Sequence, residues 1–127
     1  MNLSFPQTEY FAFLAEGKFM IQRSPATGRH VFYPRIAEPL TGSPLEWVEA
    51  SGRGTVYSVT VLHPKPPEPA YNVVLIDLEE GPRMMSRVDG IAPGAVKIGM
   101  RVRARIIQEN GAALLVFEPS GDLAGAH

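Results

Sequence analysis

Three arginines, Arg101, Arg103 and Arg105, alternate with Met100, Val102, Ala104 and Ile106. On a strand this spacing puts the three guanidiniums on one face, roughly 7 Å apart from one to the next. Such an array suits phosphates, a nucleic-acid backbone or the carboxylates of an acidic partner. It suits equally a solvated face whose like charges discourage edge-to-edge sheet pairing. No nucleophilic machinery accompanies it. His30, His63 and His127 fall in separate elements, there is no G-x-S-x-G turn, and Ser24 and Ser86 have no base nearby in sequence. Glu79 and Glu80 sit at a turn, where solvated charge is the ordinary reading. Asp77 lies on an apolar strand, where a carboxylate needs a partner, so it is read as hydrogen-bonded at a sheet rim. Gly52-Arg53-Gly54 lacks the third glycine and the following helix of a phosphate-binding loop. The chain is read as a binding protein rather than an enzyme.

Composition narrows the classes further. The 127 residues are 45% hydrophobic and 20% charged, with a formal net charge of -1. That is globular composition with no global attraction to nucleic acid or anionic membrane. Cysteine is absent, which removes disulfides, thiolate catalysis and thiolate metal sites. Residues Met1 to Tyr10 lack the basic and apolar regions of a signal peptide, and no apolar run approaches the roughly 20 residues of a membrane helix. The expectation is a soluble cytoplasmic protein.

These residues need a scaffold, and the chain spells out a mainly β one. Residues 4–17 read as a short helix, with Ser4 and Gln7 at capping-box spacing, Pro6 in the first turn and Gly17 at the end. Tyr10, Phe13 and Leu14 share a face, with Phe11 beside it, and such a stripe packs on the chain's own barrel or on a partner. Phe19 to Arg23 and Arg29 to Tyr33 form a hairpin around Pro25 and Gly28. A turn-rich connector runs from Pro34 to Pro44.

Five strands then follow. Trp47 to His63 is long, with a bend at Ser51-Gly52-Arg53-Gly54, and Tyr57, Val59 and Val61 are placed on the inner face. Tyr71 to Leu78 is apolar on both faces and so central. Arg83 to Val88 comes next, with one of Met84 and Met85 inside and the other outside. Residues 89–99 cross the barrel, Val102, Ala104 and Ile106 point inward, and Asn110-Gly111 turns the chain into Ala112 to Phe117. Five strands with a crossing segment between the third and fourth describe a five-stranded OB-type β-barrel. The expected organisation is a helix over 1–18, a hairpin and connector over 19–46, a barrel over 47–119 and a flexible tail over 120–127.

An ordered set of short strings carries a resemblance. Gln22-Arg23-Ser24-x-x-Thr27-Gly28, Phe32-Tyr33-Pro34-Arg35, Leu45-Glu46-Trp47, Ser51-Gly52-Arg53-Gly54-Thr55-Val56-Tyr57-Ser58 and Ile98-Gly99-Met100-x-Val102 resemble the acyl-CoA-associated OB-fold family with an N-terminal rubredoxin-like zinc ribbon. In that family two C-x-x-C pairs hold tetrahedral zinc. Here those positions are Ser24 and Thr27, then Glu38 and Thr41, so every ligand is lost. His30 with Glu38 makes half a site. The expectation is a degenerate ribbon without structural metal, held by Phe19, Ile21, Val31, Phe32 and Tyr33 packing on the barrel or helix.

The resemblance implies a non-catalytic partner of a thiolase-like or hydratase-like enzyme, with CoA or acyl-CoA as a ligand. Candidate partner- or CoA-binding residues are Tyr10, Phe13, Phe32, Arg35, Arg101, Arg103 and Arg105. The alternative is a single-stranded nucleic-acid-binding OB-fold, with Tyr57 and Tyr71 as stacking platforms. Pro64-Lys65-Pro66-Pro67-Glu68-Pro69 reads either as a stiff loop between barrel strands or as a partner-binding rim.

Overall fold

A computed structural model describes residues 6–39 and 41–120. Helix α1 spans Pro6–Ala15, and the chain then forms eight strands: β1 Met20–Arg23, β2 His30–Val31, β3 Glu46–Glu49, β4 Arg53–Leu62, β5 Tyr71–Leu78, β6 Arg83–Ser86, β7 Arg101–Glu109 and β8 Ala112–Pro119. The expected cap at Ser4 and nearly all of the expected tail lie outside the described residues. No helix among those described is long and apolar enough to cross a membrane.

Two sheets result. The larger has the order β6-β5-β4-β7-β8 and is antiparallel throughout. It curls until its edges meet: Phe117 N donates to Arg87 O at 3.0 Å, and Asp89 N donates to Phe117 O at 2.8 Å. Those bonds accompany a parallel bridge between Val88 and Phe117, just beyond β6. The fold is mainly β, an OB-type curled sheet, with a short 3₁₀ turn at Pro93–Ala95 inside the expected crossing segment. Asn110 and Gly111 both have positive φ, the backbone a two-residue hairpin turn requires between β7 and β8.

Alternation places the core on β7 as expected, and on β5, expected to be apolar on both faces, burial alternates as well, with Val73 and Leu75 only half-buried. Val74, Ile76 and Val102 are fully buried, with Ala104 and Ile106 packed against them. Burying each such aliphatic side chain contributes roughly 1.5–3 kcal/mol. Met84 points in and Met85 out. The exception is Tyr57. The β4–β5 register pairs Val56 with Ile76 and then Ser58 with Leu75, leaving Tyr57 as the extra residue of a bulge. The bulge turns Tyr57 outward, where the Arg83 guanidinium lies 3.4 Å from its ring centroid, while Val59 beyond it packs toward the core.

The smaller sheet has the order β2-β1-β3. Its third strand differs from the sequence reading, which put Trp47 at the start of the first barrel strand. Instead Trp47 pairs with Gln22 in the hairpin sheet. The chain changes sheet at Ala50 to Gly52, and Gly52 takes φ +81 there. Glu80 also departs from expectation. Its carboxylate reaches back to this corner and accepts the Ser51 N–H at 2.6 Å, so it is structural rather than merely solvated.

Candidate functional site

The helix, the hairpin and the closing edge of the barrel converge on one apolar region. Leu14 and Tyr10 face inward from α1, and Phe13 meets Trp47 edge-on with centroids 5.4 Å apart. Phe32, at the end of the hairpin, sits edge-on to Tyr10 at 5.4 Å and to Phe19 at 6.5 Å. These rings, with Ile21, hold the hairpin against helix and barrel, the role expected of Phe19, Ile21 and Phe32. Tyr10 is only 7% exposed, and burial, reinforced by nearby Tyr33, pushes its phenol above the ordinary range. As a surface contact Tyr10 is therefore replaced by its neighbour Phe11, which is 56% exposed.

Tyr33 bridges the two sheets. Its hydroxyl accepts the Met85 N–H at 3.3 Å, on the edge of β6 that β5 does not pair. Phe11, Tyr33 and Met85 surround a cleft of 430 Å³ whose floor includes Tyr10, Phe32 and Leu115. Among the described residues Arg35 is anchored through its backbone. Gln22 Nε2 donates to Arg35 O at 2.7 Å and Arg35 N donates to Gln22 Oε1 at 2.6 Å, which leaves the guanidinium at the surface.

The four positions expected to have lost zinc ligands come together around one carboxylate. Two loops repeat the same backbone bonds: Ser24 N donates to Arg29 O at 2.8 Å, and Glu38 N donates to Ser43 O at 2.9 Å. Gly28 N to Ser24 O and Gly42 N to Glu38 O repeat the match. Thr27 Oγ1 and Thr41 Oγ1 each donate to Glu38 at 2.7 Å, and Arg29 Nε lies 3.3 Å from its Oε2. Donation from Thr41, Thr27 and Ser24, with the charge of Arg29, holds the Glu38 carboxyl below the usual carboxylate range. Glu38 itself is buried. Among the described residues no group of three or more His, Cys, Asp or Glu is arranged to hold a metal.

The arginine stripe lies elsewhere. Arg101, Arg103 and Arg105 are exposed on the outer face of β7, opposite buried Val102. Arg103 pairs with Glu118 at 3.4 Å and stands across from Arg53 in the β4–β7 register. Arg101 and Arg105 have no ion pair among the described residues. None of the three lines the apolar cleft. Asp77 is held by Arg83, with Nε to Oδ1 at 2.6 Å, as its strand position suggested.

The family model for the ChsH2 C-terminal OB-fold domain matches residues 47–106. Among solved structures, a chain of the "Ltp2-ChsH2(DUF35) aldolase" superposes with a TM-score of 0.80 at 33% identity, covering 94% of this chain and 98% of that one. The chain belongs to the DUF35 family. This DUF35 chain is also 43% identical over 79 residues to the 3-oxo-4,17-pregnadiene-20-carboxyl-CoA hydratase alpha subunit of Mycobacterium tuberculosis. It is 42% identical over 101 residues to a probable enoyl-CoA hydratase alpha subunit of Thermomonospora curvata. The chain spans 25% of the first and 30% of the second. A DUF35 domain-containing scaffold protein of Methanocaldococcus jannaschii is 38% identical over 72 residues, which cover 52% of this chain and 51% of that one. A DUF35 structure from Sulfolobus solfataricus, at 18% identity and TM-score 0.64, shares the fold.

Proposed function

We propose that this protein is a non-catalytic accessory subunit that joins a thiolase-like or hydratase-like enzyme acting on CoA thioesters in the cytoplasm. The observation that carries the reading is the likeness, over 94% of this chain and 98% of that one, to a chain of the "Ltp2-ChsH2(DUF35) aldolase". The scaffold name of the archaeal relative and the CoA-hydratase names of the others point the same way.

The side-chain arrangement fits. Ser24 is committed to the Glu38 cluster, His30 lies in β2 and His63 lies beyond the end of β4, so these groups do not assemble a nucleophile with its base. Arg101 and Arg105, with no ion pair among the described residues, are the side chains we assign to the CoA phosphates, where guanidinium geometry favours two-point contact. No structural metal takes part, because hydroxyls and a single carboxylate replace the thiolates a zinc ribbon needs.

The test is co-expression with a thiolase-like or hydratase-like subunit from the same genome, followed by light scattering on the purified material. A stable complex of defined stoichiometry, with acyl-CoA turnover absent from the accessory chain alone, is expected. Failure to associate with either enzyme class, or turnover by the isolated chain, contradicts the reading.

A further inference from the structure

The apolar cleft between α1, the hairpin and the β6 edge has a basic neighbour, and the two share a wall. Phe32 lines both the 430 Å³ apolar cleft and an adjoining 260 Å³ cleft that holds Arg29, His30 and Arg35. Three large side chains stand half-exposed around the first: Phe11 at 56%, Tyr33 at 52% and Met85 at 56%. Ile36, next to Arg35 in the chain, is 82% exposed. Arg29 already contacts Glu38, whereas the Arg35 guanidinium has no ion pair among the described residues. A ligand crossing from one cleft to the other meets an apolar trough first and cationic charge second.

We infer that this double cleft is the seat of the partner subunit, and that its occupant is a protein segment presenting two or three large apolar side chains followed by carboxylates. The inference rests on the accessory-subunit reading and deepens it by separating the docking surface from the arginine stripe of β7. A small anionic ligand would leave the apolar trough unfilled, and a nucleic-acid backbone would gain nothing from Phe11 and Met85. A segment of mixed apolar and acidic character uses both halves. Clustered, desolvated apolar anchors supply most of the affinity in such an interface, and charge at the rim adds orientation and rate. The site is preformed, since the Tyr33 hydroxyl is already bonded to the edge of β6 at 3.3 Å.

The experiment measures affinity between the full chain and the purified thiolase-like or hydratase-like subunit. Phe11→Ser and Met85→Ser alter exposed positions, so melting curves near wild type are expected, together with affinity losses of about tenfold or more. Arg35→Glu should weaken binding severalfold and lower its dependence on salt. Lys97→Gln, an exposed change outside both clefts, should stay within about twofold of wild type. Unchanged affinity in Phe11→Ser and Met85→Ser overturns the seat while leaving the accessory reading standing. Absence of any complex sinks the accessory reading. The seat is then judged by titrating labelled protein with an amphipathic peptide carrying glutamate flanks and with its lysine-flanked counterpart. Amide shifts at Phe11, Tyr33 and Met85 with the glutamate peptide alone support it. Shifts on β7, or no preference between peptides, overturn it.

Discussion

The Thr27 hydroxyl donates to Glu38 Oε2 at 2.7 Å, closing a link between two loops eleven positions apart in the chain. Thr41 supplies the matching bond to the other oxygen, so a buried carboxylate occupies the centre of a ribbon whose four ligand positions carry Ser, Thr, Glu and Thr. The crosslink is made of protons and charge instead of metal, and its response to conditions changes accordingly.

Acid should loosen it. The folded Glu38 carboxyl titrates below its ordinary value of 4.5, so its contribution to stability is fully present above that value and disappears as pH falls through the lower folded one. Thermal melts of wild type and Glu38→Gln between about pH 7 and pH 3 check this. The wild-type advantage should be constant near neutrality and shrink on the acid side. An advantage unchanged down to pH 3 would mean that the carboxylate does not hold the loops.

Metal should be dispensable in the natural sequence and recoverable by design. Wild type should carry no stoichiometric zinc, and a chelator should leave its melting temperature alone. Because the loops repeat the same backbone bonds, replacing Ser24, Thr27, Glu38 and Thr41 together by cysteine should create a site binding about one zinc per chain. Elemental analysis of both proteins gives the answer. Zinc in the wild type that is lost on His30→Ala would reveal a noncysteine site.

Gly54 has the tightest surroundings of the described glycines. A Cβ there would lie 2.5 Å from Ile76 Cγ2 and 3.0 Å from Asp77 O. Gly54→Ala should therefore cost about 1–3 kcal/mol through forced displacement of β5. Denaturant unfolding measures it, and a neutral result would show that β4 and β5 can separate without penalty.

The outer face of β7 should matter to binding and not to folding. Arg101→Gln, Arg103→Gln and Arg105→Gln combined should shift stability by no more than about 1 kcal/mol, since the one ion pair lost among the described residues, to Glu118, is at the surface. With acyl-CoA present, the salt dependence of complex formation should flatten. An undiminished salt slope would remove these arginines from the CoA contact.

Much of this arrangement was legible because one physical signal sufficed for each part. Alternation located β7, Asn110-Gly111 located the last hairpin, and the Met84–Met85 pair split between core and surface as a strand demands. What escaped depended on distant partners. The bulge that turns Tyr57 outward is set by where β5 resumes pairing at Leu75, which spacing within β4 does not encode. Trp47 pairs with Gln22 because the chain changes sheet at Gly52, a corner that in sequence looks like a bend within one strand. At the candidate site, the aromatic stripe of α1 was visible, but which ring it exposes was decided by Phe32 covering Tyr10. That Met85 shares a cleft with Phe11 and Tyr33 depends on where the hairpin packs, which spacing within β6 does not encode.

The central claim is that this chain binds an enzyme and not a nucleic acid. Fluorescence anisotropy of the labelled protein with a purified thiolase-like or hydratase-like subunit, run beside labelled single-stranded DNA and RNA, decides between them. The account predicts saturable binding to the enzyme subunit and no oligonucleotide affinity below about 1 μM at physiological salt. Submicromolar oligonucleotide binding with a steep salt slope, and no association with either enzyme, would contradict it.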